Sequence, residues 1–227
     1  MSADRAHMAQ MQLRLPLKQE TSRRASDLEV STSNAVAAEA LEDWPSEPGS
    51  IMALYGPAGS GKSHMAAAWV ERVGAIALHG EEAAWCDPLE LEGRPVLLEE
   101  AEGADDEALF HLINLTQSGG GALLMVSRDP PASWMVRLPD LKSRLNSVRT
   151  IAVEVPDDVI LAAMLKRSFA ARNIVPGDGV IEYLVRRIDR SAQSAEMIVD
   201  RLDMYHRPVT RVLARQVLEG DFTAGLS

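Results

Sequence analysis

The sequence predicts an α/β fold, a parallel sheet flanked by helices, followed by a small all-helical lid domain. Three observations predict it. Residues 56–63 read Gly-Pro-Ala-Gly-Ser-Gly-Lys-Ser, a full P-loop pattern between an apolar run at 51–55 and a helix-forming stretch at 64–73. That is the strand, loop and helix setting a phosphate cradle needs. Four more short apolar runs, at 75–79, 96–98, 122–126 and 151–155, are separated by helical or irregular stretches. Strands alternating with helices make a parallel sheet covered on both faces. Past Pro156 the strand signals stop, and apolar residues recur at spacings of three and four.

The elements follow in order. Residues 1–26 are polar and charged without a sustained period and read as a flexible tail. Within it stands Gln12-Leu13-Arg14-Leu15-Pro16-Leu17. Pro16 fixes its own φ and pushes Leu15 toward an extended form, which presents alternate apolar anchors to a partner's groove. A plain apolar island is an equal reading of the hexamer alone. The α/β domain spans 27–155. Ser33 or Asn34 can cap a helix at 35–41, closed by the prolines and glycine of 43–49. Among the later helical stretches, 105–117 is the clearest, its acidic start suiting the positive end of a helix dipole. The lid domain, 156–227, carries helical patterns at 157–172, 180–188, 191–205 and 210–218, divided by Pro176-Gly177, the Asp189 region and Pro208.

The residue types in the cradle each meet a physical demand. Gly56, Gly59 and Gly61 allow positive φ and a close backbone wrap around one phosphate. Pro57, Ala58 and Ser60 complete the loop, and His64 follows it. Lys62 places a point charge near the β and γ phosphates, and the Ser63 hydroxyl suits magnesium, a hard cation. The motif therefore predicts binding of a nucleotide with Mg2+. A second acidic element is needed at a neighbouring strand end. There Glu99 suits the metal and Glu100 suits an attacking water, although both also fit a solvated acidic loop with Glu102, Asp105 and Asp106. Glu99 is one methylene longer than the commoner aspartate, so slow intrinsic hydrolysis is expected. Ser127, ending the next strand, reads either as a contact to the γ phosphate or water or as a plain strand-ending serine. From spacing alone Arg144 reads as a surface arginine.

Composition narrows the function. With 46% apolar residues the chain can build a proper core. Its 33 acidic against 23 basic residues leave a net charge of -10, which opposes strong direct DNA binding. Arg186, Arg187, Arg190 and Arg201 form a local basic gathering that reads as the wet face of a helix. The single Cys86 makes no internal disulfide. No apolar run nears the length of a membrane span or secretory signal, so no membrane partner and a cytoplasmic location are expected.

Taken together, several motifs resemble the DnaA-related AAA+ family, which contains the bacterial initiator DnaA and the shorter Hda branch. They are Gly61-Lys62-Ser63-His64, Ser127-Arg128 with Pro130-Pro131 and Trp134 after it, and Leu138-Pro139-Asp140-Leu141-Lys142-Ser143-Arg144-Leu145. Ser33-Asn34 before an alanine-rich helix resembles the segment flanking the adenine. The likeness covers about residues 27–220, and the tail hexamer is similar to the sliding-clamp motif of the Hda branch. No further DNA-binding domain is expected after the lid, which also matches that branch. The resemblance implies a protein tethered to the DNA-loaded polymerase III sliding clamp that triggers hydrolysis of DnaA-bound ATP. Arg144 then takes the arginine-finger position, and contact with a second copy of the chain is also implied. The alternative is an autonomous AAA+ ATPase, a helicase loader or DNA-dependent motor. One departure stands out besides Glu99-Glu100: Gln193 occupies the place where an arginine usually reads the nucleotide. Gln193 keeps hydrogen bonding without the charge, and Arg190 stands near as a substitute.

Overall fold

The computed structural model describes residues 28–220, so the tail and its residues Gln12, Leu13, Leu15, Pro16 and Leu17 lie outside the described residues. Strands β1 (Ser50–Tyr55), β2 (Ile76–His79), β3 (Pro95–Glu99), β4 (Ala122–Ser127) and β5 (Arg149–Ala152) form one parallel sheet in the order β2-β3-β4-β1-β5. Parallel neighbours require crossovers, and the helices supply them and cover both faces. The helices of this layer are α1 (Ala35–Glu42), α2 (Lys62–Val73), α3 (Pro88–Leu91), α4 (Asp106–Gly119) and α5 (Pro139–Ser147).

Successive side chains of a strand point to opposite faces, and the two cores follow that alternation. Met52, Leu54, Leu124 and Val126 pack with Ala37 and Leu41 of α1 and with Met65, Ala66 and Trp69 of α2. Ala53, Leu123 and Met125 pack on the other side with Leu109, Leu112 and Ile113 of α4 and with Leu141 and Leu145 of α5. β4 is buried along its whole length, as a central strand covered on both faces should be.

The last strand differs from its sequence reading. The apolar run placed it at 151–155, whereas β5 pairs with β1 from Met52↔Arg149 to Tyr55↔Ala152. As an edge strand it exposes Arg149 and Thr150, which an apolar criterion passes over. Helix α1 also begins differently: Asn34 occupies its N-cap position but makes no cap bond. Its Oδ1 accepts from the Ser31 amide at 2.8 Å, and its Nδ2 donates to the Glu29 carbonyl at 2.9 Å, folding the entering loop instead.

Beyond β5 come α6 (Asp158–Ala171), α7 (Val180–Val185), α8 (Ala192–Asp203) and α9 (Arg211–Glu219). They share a separate apolar cluster that includes Leu161, Leu165, Phe169, Leu184, Val199, Leu202 and Leu213. Asp157, Ser191 and Thr210 cap α6, α8 and α9, each side chain accepting from amides of the first turn.

Candidate phosphate-binding site

The cradle starts where β1 ends, at the carboxyl edge of the sheet, the edge at which parallel α/β sheets bind ligands. Gly56 continues the ladder by donating its amide to the Arg128 carbonyl at 3.1 Å. Its φ is 152°, and a Cβ there would lie 2.2 Å from the Val153 carbonyl oxygen, so only glycine fits. Gly59, at φ 73°, packs so closely on the lid that a Cβ would meet the Ser191 side chain at 2.7 Å. The loop then turns through Gly61 into α2, whose first amides have no partner within the helix. A helix start of this kind favours an anion.

Lys62 is buried against the loop. Its ammonium donates to the carbonyls of Gly56 at 2.7 Å and Pro57 at 2.8 Å, with Ser60 Oγ at 3.4 Å. Burial lowers its pKa, nearby Glu102 and Glu99 oppose that shift, and Arg128 adds to it. A charge held on neutral carbonyls beside an open cavity is set up to transfer to an anion, which would bind it more strongly. Ser63 donates to Glu99 Oε2 at 3.0 Å, so a hydroxyl and a carboxylate oxygen stand side by side. Among the described residues there is no group of three or more histidine, cysteine, aspartate or glutamate side chains placed to hold a metal ion. Magnesium needs none, because it commonly takes one or two protein oxygens, the nucleotide phosphates and water. The Ser63 and Glu99 pair fits that pattern.

Across from the cradle, Met164, Arg167 and Ser168 of α6 and Ala192 and Glu196 of α8 close a cavity with Gly59, Ser60, Gly61, Lys62, Ser63 and His64. The lid touches the loop directly, since the Ala192 amide donates to the Gly59 carbonyl at 3.0 Å. Arg167 lies 2.8 Å from His64 Nε2. Gln193 is exposed on the first turn of α8 and is not part of the cavity wall. Arg190 is engaged with Asp158 and with the Pro156 carbonyl. Asp157 joins the segment before α1 to the lid: its Oδ2 accepts from the hydroxyls of Ser31 and Thr32 and the amide of Ser33. Burial opposes its charge, yet hydrogen bonds from Ser31, Ile160, Thr32 and Ser33 hold its pKa at about 2.

The residues assigned to chemistry lie at different places. Ser127 is the register partner of Tyr55, just before the cradle, and donates its hydroxyl to the Asp129 carbonyl at 2.8 Å. Glu100 adopts a left-handed backbone, φ 48°, and its carboxylate pairs with His79 Nε2 at 3.3 Å. Arg144, on the last turn of α5, bonds Gln117 Oε1 and stacks over Phe110 with 5.1 Å to the ring centre. It shares a small groove with Gly49 and Ile51, at the amino end of β1. The six residues of β1 span roughly 20 Å. Arg144 therefore lies beyond reach of its own cradle.

Sequence reasoning did not single out Arg167 or His79. Met164, Arg167 and Ser168 share one face at helical spacing, a signal that Arg167 borders the buried side of α6. His79 carried no comparable signal, because its partner comes from a neighbouring strand.

Comparison with solved structures gives the fold. Domain III of DnaA from Thermotoga maritima superposes with a TM-score of 0.73 at 16% identity, covering 89% of this chain and 98% of that one. The fold is that of DnaA domain III. AMPPCP-bound DnaA from Aquifex aeolicus matches with a TM-score of 0.61 at 17% identity, over 80% of this chain and 65% of that chain. A RuvB variant from Thermotoga maritima gives 0.61 at 16% identity, over 83% and 68%. This chain thus spans nearly all of the isolated DnaA domain and 65% of the longer DnaA chains. No family model matches the sequence. Among the described residues no helix is long and apolar enough to cross a membrane.

Proposed function

We propose that the chain is a nucleotide-dependent regulator of the replication initiator DnaA. It holds ATP or ADP between cradle and lid, with Mg2+ on Ser63 and Glu99, and turns Arg144 toward the ATP of a neighbouring DnaA. Residues 12–17 tether it to the DNA-loaded sliding clamp, and its own hydrolysis, with Glu100 orienting water near Ser127, is slow. The supporting observation is the separation of Arg144 from its own cradle by the length of β1. A guanidinium at that edge has no phosphate of its own chain to serve, whereas an AAA+ partner docked there would bring one. The bond to Gln117 is exposed, and Phe110, over which the guanidinium lies, is half-buried at the edge of the core, so Arg144 itself is not locked inside it.

The experiment measures hydrolysis of DnaA-bound ATP with clamp, DNA and this protein. Arg144→Ala is expected to lose stimulation by two or more orders of magnitude, in line with an arginine finger supplied in trans. Equal stimulation by wild type and variant ends the finger role. Strong DNA-dependent ATP turnover by the chain alone would instead support the motor reading.

A further inference from the structure

We propose that Arg167, on α6, is the residue by which the lid reads the nucleotide's phosphates, in place of the uncharged Gln193 on α8. The inference rests on the reading of the cavity as a nucleotide site. Arg167 lines the same cavity as the Gly59 to Ser63 loop, whereas Gln193 stays on the exposed side of its helix. The other lid arginine considered for the role, Arg190, is engaged with Asp158 and the Pro156 carbonyl. Arg167 already contacts the cradle side, through His64 on the first turn of α2.

An arginine cannot lose its proton, so in this pair the guanidinium donates and the imidazole Nε2 accepts. His64 directly follows Ser63, so the contact holds the cation beside the position of the phosphates. A phosphate offers two anionic oxygens in a geometry that matches the guanidinium fork, and it outcompetes a neutral imidazole for those donors. On nucleotide binding Arg167 exchanges His64 for phosphate oxygen. α6 carries Leu161, Leu165 and Phe169 at the heart of the lid core, so the exchange couples phosphate occupancy to the position of the whole lid.

Calorimetric titration of the full chain with Mg-ATP, Mg-ADP and adenosine tests this. Arg167→Ala should weaken Mg-ATP binding on the order of tenfold or more, the size of one charge-assisted hydrogen bond. Adenosine binding should change by less than about twofold, because it has no phosphate to read. Arg167→Lys, which keeps the charge without the fork, should fall between, and Gln193→Ala should lose less than Arg167→Ala. Unfolding midpoints without nucleotide establish that the variants are folded, with Arg167→Gln as the replacement if alanine is not tolerated. Wild-type affinity for Mg-ATP in Arg167→Ala, an equal loss for ATP and adenosine, or a greater loss in Gln193→Ala overturns the assignment alone. A wild-type chain that binds neither ATP nor ADP overturns the nucleotide reading and this inference with it.

Discussion

At Gly56 a single hydrogen atom lets the chain leave β1 and enter the loop. A methyl group there would sit 2.2 Å from a carbonyl oxygen of Val153, a backbone atom fixed by the bond from the Val153 amide to Tyr55 at 2.8 Å. At Gly61 the nearest atom to such a methyl is the end of the Met164 side chain at 3.6 Å, leaving only the cost of φ 99°. Backbone strain of that kind costs about 1–3 kcal/mol, and a clash with immobile backbone adds to it. Gly56→Ala is therefore expected to destabilise the fold by more than Gly61→Ala, read from denaturant midpoints. Equal costs would mean that the crowding under Val153 relaxes freely. The loop letters were legible in the sequence because each glycine answers a local demand. The resting place of Lys62 on two carbonyls was not, since it depends on how the loop closes. Arg167 and His64 are separated by 103 residues, and no local pattern pairs them.

Among the elements, α6 depends on contacts from far along the chain. Asp157 caps it by accepting from Val159 and Ile160, both at 3.0 Å, and with its other oxygen it binds the segment at 31–33. The sequence reading counted Asp157 as the first residue of the helical pattern and not as its cap, and the second set of partners, 124 to 126 residues earlier, leaves no local pattern at all. β5 shows the same limit, because its register comes from β1 and not from its own apolar residues. Loss of a cap costs roughly 0.5–2 kcal/mol, and Asp157→Ala should exceed the middle of that range because the links to 31–33 go too. The carboxyl has a lowered pKa of about 2 against an ordinary 3.8. Its stabilisation is complete above about pH 4 and is lost as pH falls from there toward about 2. Urea unfolding at about pH 5 should separate wild type from Asp157→Ala clearly, and at about pH 2 the gap should be clearly smaller. A gap of constant size would show that the charge plays no part.

On the scale of the molecule, two separately packed bodies meet at a polar cavity, and their charges differ. Residues 28–155 carry 20 acidic and 8 basic side chains, whereas residues 156–220 carry 9 acidic and 10 basic. A polyphosphate entering beside Glu99 and Glu102 meets carboxylates as well as Lys62, so a bound cation is needed to offset the repulsion. A ligand that binds only the folded chain stabilises it by about 2.7 kcal/mol at a hundredfold excess over its dissociation constant. For a chain of this length that corresponds to a rise in Tm of roughly 5–10 °C. Mg-ATP should produce such a rise, while ATP with chelator should produce a clearly smaller one, because Ser63 and Glu99 then face the phosphates without their ion. Lys62→Ala should abolish the shift in both conditions. An equal rise with and without magnesium would remove Ser63 and Glu99 as the metal site while leaving the cradle in place, since the loop amides and Lys62 bind the anion on their own.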